Sequence, residues 1–187
     1  KDYPQRRALG SEETTGCGTR GIYFDAADEG RMMSLNRKPN GRDSLLNCIE
    51  RGWKFYDERP YLAGLFYWTG FDYRGEPNPM KFPATGSQFG ILDYCGFPKD
   101  EAYYLKSWWT NEPVLHILPH WNLDGHEGDS IDVWVYSNCD EVELIVNGKK
   151  LGRKAMPKNG HLAWKAVYRP GYVKAVGYKN GKRLLEQ

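Results

Sequence analysis

The sequence predicts two structural classes in succession, a parallel α/β region over residues 1–112 and an all-β region over residues 113–187. Three observations carry that expectation. Two short apolar runs, Arg7-Ala8-Leu9-Gly10-Ser11-Glu12 and Tyr61-Leu62-Ala63-Gly64-Leu65-Phe66-Tyr67-Trp68, stop abruptly at polar residues. That is the pattern of buried strands delivering side chains at their C-terminal ends, where parallel α/β barrels build their active sites. Two stretches of helical apolar spacing, 44–56 and 100–109, accompany the runs. After Pro113 the spacing changes to two and Gly-containing turn signals recur, as short antiparallel strands require.

Each element has its own local reason. The run at 7–12 is followed by a long connection from Gly16 to Asp43, and irregular stretches of that length are usually functional or lid-like. Ser44 is placed to cap a helix through Tyr56, which leads into the run at 61–68. The loop that follows, Thr69-Gly70-Phe71-Asp72-Tyr73-Arg74-Gly75-Glu76-Pro77, is dense in aromatic rings, carboxylates and glycines, a composition suited to sugars. Asp100 and Glu101 open the helix at 100–109, where the helix dipole favours acids. Further on, Ile131–Tyr136 and Glu141–Val146 alternate with period two, and Asn147-Gly148, Asn159-Gly160, Pro170-Gly171 and Asn180-Gly181 supply turns. Strands so spaced predict an antiparallel sandwich of immunoglobulin type with its boundary near Glu112-Pro113. The sequence ends at Leu184-Leu185-Glu186-Gln187, within what reads as a last strand, so a clipped sandwich is also expected.

Composition narrows the function classes. Of 187 residues, 40% are hydrophobic and 27% charged, which is globular, and no stretch approaches the roughly 20 apolar residues of a membrane span. Lys and Arg number 26 against 24 Asp and Glu, too even a balance for a nucleic-acid electrostatic footprint. The basic run Lys149-Lys150-Leu151-Gly152-Arg153-Lys154 is broken by Leu151 and Gly152 and reads as a solvated strand face. Cys17, Cys48, Cys95 and Cys139 contain no C-x-x-C pair and read as core or loop residues. His116, His120, His126 and His161 form no ligand set at zinc spacing, so no metal is expected. Ser11 lacks a nucleophile elbow and Gly16-Cys17-Gly18 lacks a strand-turn-helix context, so neither esterase chemistry nor a cofactor is expected.

Taken in order, Ser11-Glu12, Trp68 to Pro77, Phe89-Gly90-Ile91-Leu92-Asp93-Tyr94-Cys95-Gly96-Phe97-Pro98-Lys99-Asp100 and Pro119-His120-Trp121-Asn122 resemble bacterial β-galactosidases of glycoside hydrolase family 2. The resemblance covers nearly the whole chain. It implies the last strands and helices of a (β/α)8 TIM barrel followed by an immunoglobulin-like β-sandwich, with the earlier barrel strands and the usual N-terminal domains of the same enzyme upstream. Length agrees, since a complete barrel takes about 250 residues and this chain has 187. The implied partners are a β-galactoside substrate and those upstream domains. No location is legible at Lys1; for the parent enzyme a periplasmic or secreted one is favoured over the cytoplasm.

The implied chemistry is glycoside hydrolysis with retention, which uses two carboxyl groups about 5–5.5 Å apart, one attacking the anomeric carbon and one protonating the leaving oxygen. The resemblance places the nucleophile at Glu12, at the end of a rigid strand. Glu13 is the neighbouring alternative, and strand alternation lets only one of the two face the barrel mouth. The acid/base residue is implied on an earlier strand, outside this chain, so the chain alone is expected to be inactive. Asn111-Glu112-Pro113 imitates its signature, but Glu112 follows the last helix and reads as a linker residue. Trp68 is the candidate pyranose platform, and Asp72 and Glu76 are candidate acceptors for sugar hydroxyls or, equally, carboxylates that order their own loop. Tyr73 and Arg74 are weaker candidates, and Asp93, Lys99 and Asp100 carry no expected chemistry beyond turn and helix-cap structure. The alternative from another class is a non-catalytic carbohydrate-binding or structural sandwich module using the aromatic residues after 113. A family 2 β-glucuronidase is the alternative within the class.

Overall fold

The computed structural model describes residues 3, 5–13, 18–24, 45–77 and 82–187, with the backbone alone for 45–48. The expected cap at Ser44, most of the connection from Gly16 to Asp43, Cys17 and the side chain of Cys48 lie outside the described residues. The chain divides into two compact units, Lys1–Glu101 and Ala102–Gln187.

In the first unit, β1 (Ala8–Glu13) and β2 (Leu62–Tyr67) form a parallel pair, and α1 (Leu45–Asp57) lies between them in sequence. A parallel pair needs such a crossover, because its strands run the same way. The register matches Ala8 with Leu62, Leu9 with Gly64, Gly10 with Leu65 and Glu13 with Tyr67. Gly10 to Glu13 thus stands against Leu65 to Tyr67, so β1 carries one extra residue and is bulged where its carboxylates emerge. Leu9 and Phe66 stand exposed, although parallel strands are generally covered on both faces.

The chain leaves β2 through a cis Trp68–Thr69 peptide and pairs with the segment at 89–92. Thr69 donates to the Phe89 carbonyl, Ile91 to Thr69, Leu92 to Gly70 and Asp72 to Leu92. At the centre of this weave lies Lys99. Its side chain is 4% exposed, and its ammonium donates to Asp72 Oδ1 at 2.7 Å, the Gly18 carbonyl at 2.8 Å and the Gln88 carbonyl at 2.9 Å. Three donors meet three acceptors from three separate segments, so the buried charge is fully satisfied.

The helix α2 (Asp100–Trp109) spans the residues expected of it. The two compact units divide within its first turn, and its later residues belong to the second core. Tyr104 is fully buried, donates to the Asn159 carbonyl at 2.8 Å and meets Tyr136 edge-on, while Tyr103 stacks on His116. That core lies between two antiparallel sheets. One has the order β3 (Leu115–Leu118), β4 (Ser130–Ser137), β7 (Leu162–Val167); the other has β6 (Lys149–Ala155), β5 (Glu141–Val146), β8 (Val173–Lys179), β9 (Lys182–Glu186). Val133, Val135, Val142, Leu144 and Ala175 are fully buried. The Asn147-Gly148 and Asn180-Gly181 turns join β5 to β6 and β8 to β9 with both residues at positive φ, the mirror-image turn that matches strand twist. Cys139 is buried where Gly177 passes so close that a Cβ there would overlap its Sγ. The basic strand β6 is solvated as expected, Lys150 pairing with Glu143 and Arg153 with Glu141.

The acids opening α2 differ in surroundings. Asp100 accepts from the Tyr23 hydroxyl at 2.8 Å. Glu101 is buried, its Oε2 has no partner among the described residues, and burial, helped by the Asp100 charge, pushes its pKa from 4.5 up to about 7. Here burial outweighs the helix dipole. A raised folded-state pKa means that stability is fully present below about 4.5 and is lost as pH rises toward about 7, by on the order of 3 kcal/mol at 1.36 kcal/mol per unit. Melting curves should show a decline in stability from pH 5 to 7 that is flattened in Glu101→Gln; parallel slopes for the two proteins would remove Glu101 as its source. Lys99→Met, which strands Asp72 in a buried site, should cost about 3–5 kcal/mol in denaturant unfolding of the first unit, and a loss below 1 kcal/mol would show the ammonium to be dispensable.

Candidate active site

Glu12 and Glu13 close β1, and their surroundings separate them. Glu13 is half-buried and its Oε1 accepts the Tyr56 hydroxyl at 2.8 Å, so α1 reaches across the strand to hold it. The crossing depends on Gly10, where any Cβ would collide with Tyr56 Oη and Glu13 Cγ. Burial, and then the bond to Glu13, raises the Tyr56 phenol above its ordinary pKa, which keeps it a donor. Glu12 is exposed, leaving its carboxylate open to solvent.

The end of β2 lies beside this point, because Trp68 N–H donates to the Glu13 carbonyl at 3.3 Å. The parallel pairing therefore brings Glu12 and Trp68, distant in sequence, to neighbouring strand ends. Trp68 is 38% exposed. Its ring meets Tyr73 edge-on, with centroids 6.0 Å apart at 78°, and Tyr73 donates its hydroxyl to Glu76 Oε2. Glu76 is exposed at φ 42° after Gly75 at φ 89°, a left-handed turn that folds its carboxylate back over three residues.

Asp72 is turned inward. At 6% exposure, it accepts from Lys99 and from the Gly90 N–H at 2.9 Å. Burial pushes its carboxyl above the ordinary range and Lys99 opposes that. In this position it orders the loop that carries Tyr73 and Glu76. Asp93 acts similarly at a turn, accepting from the Cys95 and Phe97 amides and pairing with Arg20 at 2.6 Å. Arg74 lines a cleft of about 340 Å³ with Thr85, Gly86, Gln88 and Tyr94. Glu112 is exposed and paired with Lys106 at 2.8 Å, which holds its carboxyl below the usual range.

Sequence reasoning left Lys99 and Tyr56 without a role in this geometry. A lysine in an otherwise apolar-to-acidic segment was the available signal for Lys99; for Tyr56 there was none, since its partner lies 43 residues away. Among the described residues no three His, Cys, Asp or Glu side chains converge on a possible metal position. No helix among them is long and apolar enough to cross a membrane.

Comparison with known proteins agrees with the resemblance at the level of the enzyme family. Residues 128–185 match a family model described as a domain of unknown function, DUF4982. The whole chain is 37% identical over 201 residues to β-galactosidase BoGH2A of Bacteroides ovatus, of which it spans 23%. A β-glucuronidase of Formosa agariphila is 37% identical over 75% of this chain and 14% of its own length. The crystal structure of a β-glycosidase from Bacteroides vulgatus matches all of this chain and 27% of its own with a TM-score of 0.81 at 32% identity. The chain thus corresponds to about a quarter or less of these relatives. Its homologues are glycosidases of glycoside hydrolase family 2, including a β-galactosidase and several β-glucuronidases.

Proposed function

We propose that this chain is the C-terminal part of a retaining, exo-acting family 2 β-galactosidase, carrying the nucleophile and one wall of the sugar pocket. The barrel reading is supported by the parallel pair with its helical crossover and by the uncovered Leu9 and Phe66. A two-stranded parallel sheet with open faces is incomplete, and neighbouring barrel strands are what would cover it. The sandwich follows as the next domain. The acid/base carboxyl comes from an upstream strand of the same enzyme.

One observation carries the proposal: exposed Glu12 and the part-exposed indole of Trp68 emerge side by side at the C-terminal ends of two parallel strands. In the reaction, Glu12 attacks the anomeric carbon opposite the departing oxygen and forms a glycosyl-enzyme, which water then hydrolyses. Trp68 stacks on the apolar face of the pyranose. Asp72 serves the pocket from within, by fixing the loop, and Glu13 fixes the strand end through Tyr56. Galactose is favoured over glucuronic acid by the resemblance of the Trp68–Pro77 segment to β-galactosidases, and a β-galactosidase is among the relatives matched over the whole of this chain. A glucuronidase remains the second reading because of the other relatives.

In the full-length enzyme that carries this chain, Glu12→Gln, nearly isosteric, should remove nearly all turnover of a nitrophenyl β-galactoside with the melting temperature unchanged. Glu13→Gln leaves Tyr56 an acceptor and should stay within about tenfold, the scale of one hydrogen bond of about 1 kcal/mol. The reverse ranking overturns the assignment, and turnover confined to the β-glucuronide would transfer it to the second reading.

A further inference from the structure

We propose that the cleft bounded by Arg74, Thr85, Gly86, Gln88 and Tyr94 is a second carbohydrate subsite, apart from the Trp68 pocket, that takes a sugar unit bearing a carboxylate or a sulfate. The ribbon beside the cleft separates the two places. Arg74 bridges Gly86 in antiparallel fashion, with Gly75 N–H donating to the Thr85 carbonyl at 2.9 Å and Ser87 N–H to the Tyr73 carbonyl at 2.8 Å. Tyr73 and Arg74 are consecutive on this ribbon, so their side chains leave opposite faces. Tyr73 meets Trp68 and Glu76. Arg74 lies over Tyr94, its guanidinium carbon 5.9 Å from the ring centroid, within cation–π range. Tyr94 can approach the ribbon because residue 86 is glycine, where a Cβ would overlap Tyr94 Oη. The cleft of about 340 Å³ falls at the lower end of the range for small-ligand sites.

The groups facing the cleft are unmatched in a way that specifies the ligand. Arg74 reaches Thr85 Oγ1 only at a long 3.4 Å and has no carboxylate partner among the described residues. The acids of its own loop are engaged elsewhere: Asp72 by Lys99, and Glu76 by the Tyr73 phenol, to which the left-handed turn at Gly75-Glu76 returns it. Gln88 is 8% exposed and its carbonyl is taken by Lys99, but its side-chain amide makes no hydrogen bond among the described residues. A buried amide left unpaired costs free energy, and a polar ligand in the cleft is what would pair it. The Tyr94 hydroxyl is spent on the Ser87 and Tyr73 carbonyls at 2.8 and 3.3 Å, which fixes the ring and leaves it 47% exposed. A bare anion has no use for an aromatic surface, and a neutral sugar has none for an unpaired guanidinium. A sugar ring with an acidic substituent uses both, its apolar face on Tyr94 and its anion on Arg74. Glu12 takes no part, so the inference goes beyond the proposed catalysis and does not depend on it.

Calorimetric titration of the full-length enzyme tests it, with methyl α-galacturonide and methyl α-galactoside 6-sulfate as anionic probes and methyl α-galactoside as the neutral control. Their α-linkage keeps all three from turnover by a β-glycosidase. At least one anionic probe should bind about tenfold or more tighter than the control, and which one does so identifies the anion. Arg74→Met should abolish most of that difference, the scale of one charge-assisted hydrogen bond, and rising salt should weaken it. Gln88→Met keeps the carbonyl that Lys99 needs, removes only the amide, and should weaken the same probe about fivefold. Trp68→Ala should leave its affinity unchanged. Equal affinities for charged and neutral sugars, or an anionic affinity unmoved in Arg74→Met, would overturn the subsite. Loss of binding in Trp68→Ala would place the probe in the Trp68 pocket instead, and inorganic sulfate binding as tightly as the sulfated sugar would reduce the cleft to an anion site with no role for the ring. These affinities read the same whether or not the enzyme hydrolyses a β-galactoside.

Discussion

The first unit hangs on one buried cation. Lys99 sits where water cannot help it, and the cost of that burial is offset only by simultaneous bonds to Asp72, Gly18 and Gln88. These acceptors come from the segment after β1, the loop after β2 and the stretch that pairs with that loop. A loop rich in glycine and polar groups has little apolar surface to bury, so a fully coordinated charge is what can give it one conformation. Everything the candidate site presents from β2 onward is built on that anchor: Asp72 is gripped, Tyr73 follows it with its backbone bonded to Ser87, and Tyr73 meets both Trp68 and Glu76.

β1 has a second constraint of steric origin. Gly10 leaves room for Tyr56 to cross the strand, and the phenol takes Glu13 out of play as a free carboxylate. The bulge between Gly10 and Glu13 breaks simple strand alternation at the residues that matter most. Which glutamate faces outward is therefore decided by the helix side chain and the bulge together, and a two-residue period alone could not decide it.

What the sequence made legible was local. The helix at 100–109 and the strand at 141–146 match their expected spans, and the elements expected at 7–12, 44–56, 61–68 and 131–136 agree to within a residue at each end, because periodicity is written in consecutive residues. Two Asn-Gly pairs became two-residue hairpin turns because that conformation needs positive φ twice over. Which core takes α2 is not legible in the sequence, because its apolar face looks the same whichever core receives it. The role of Lys99 is hidden in the sequence because two of its three partners are backbone carbonyls, which no residue identity reveals. Asp72 and Glu76 looked equivalent as loop carboxylates; a buried lysine and a nearby phenol give them different work. The Tyr73–Glu76 contact, three residues apart around Gly75, was the one site interaction that local turn chemistry could have suggested.

The central claim is that Glu12, released from competition by the Tyr56–Glu13 bond, is the group that bonds to the sugar. It is tested most directly by trapping the full-length enzyme with a 2-fluoro-β-galactoside carrying a good leaving group and mapping the labelled peptide. The account predicts one galactosyl label, on Glu12. A label on Glu13 or Glu76 would contradict it.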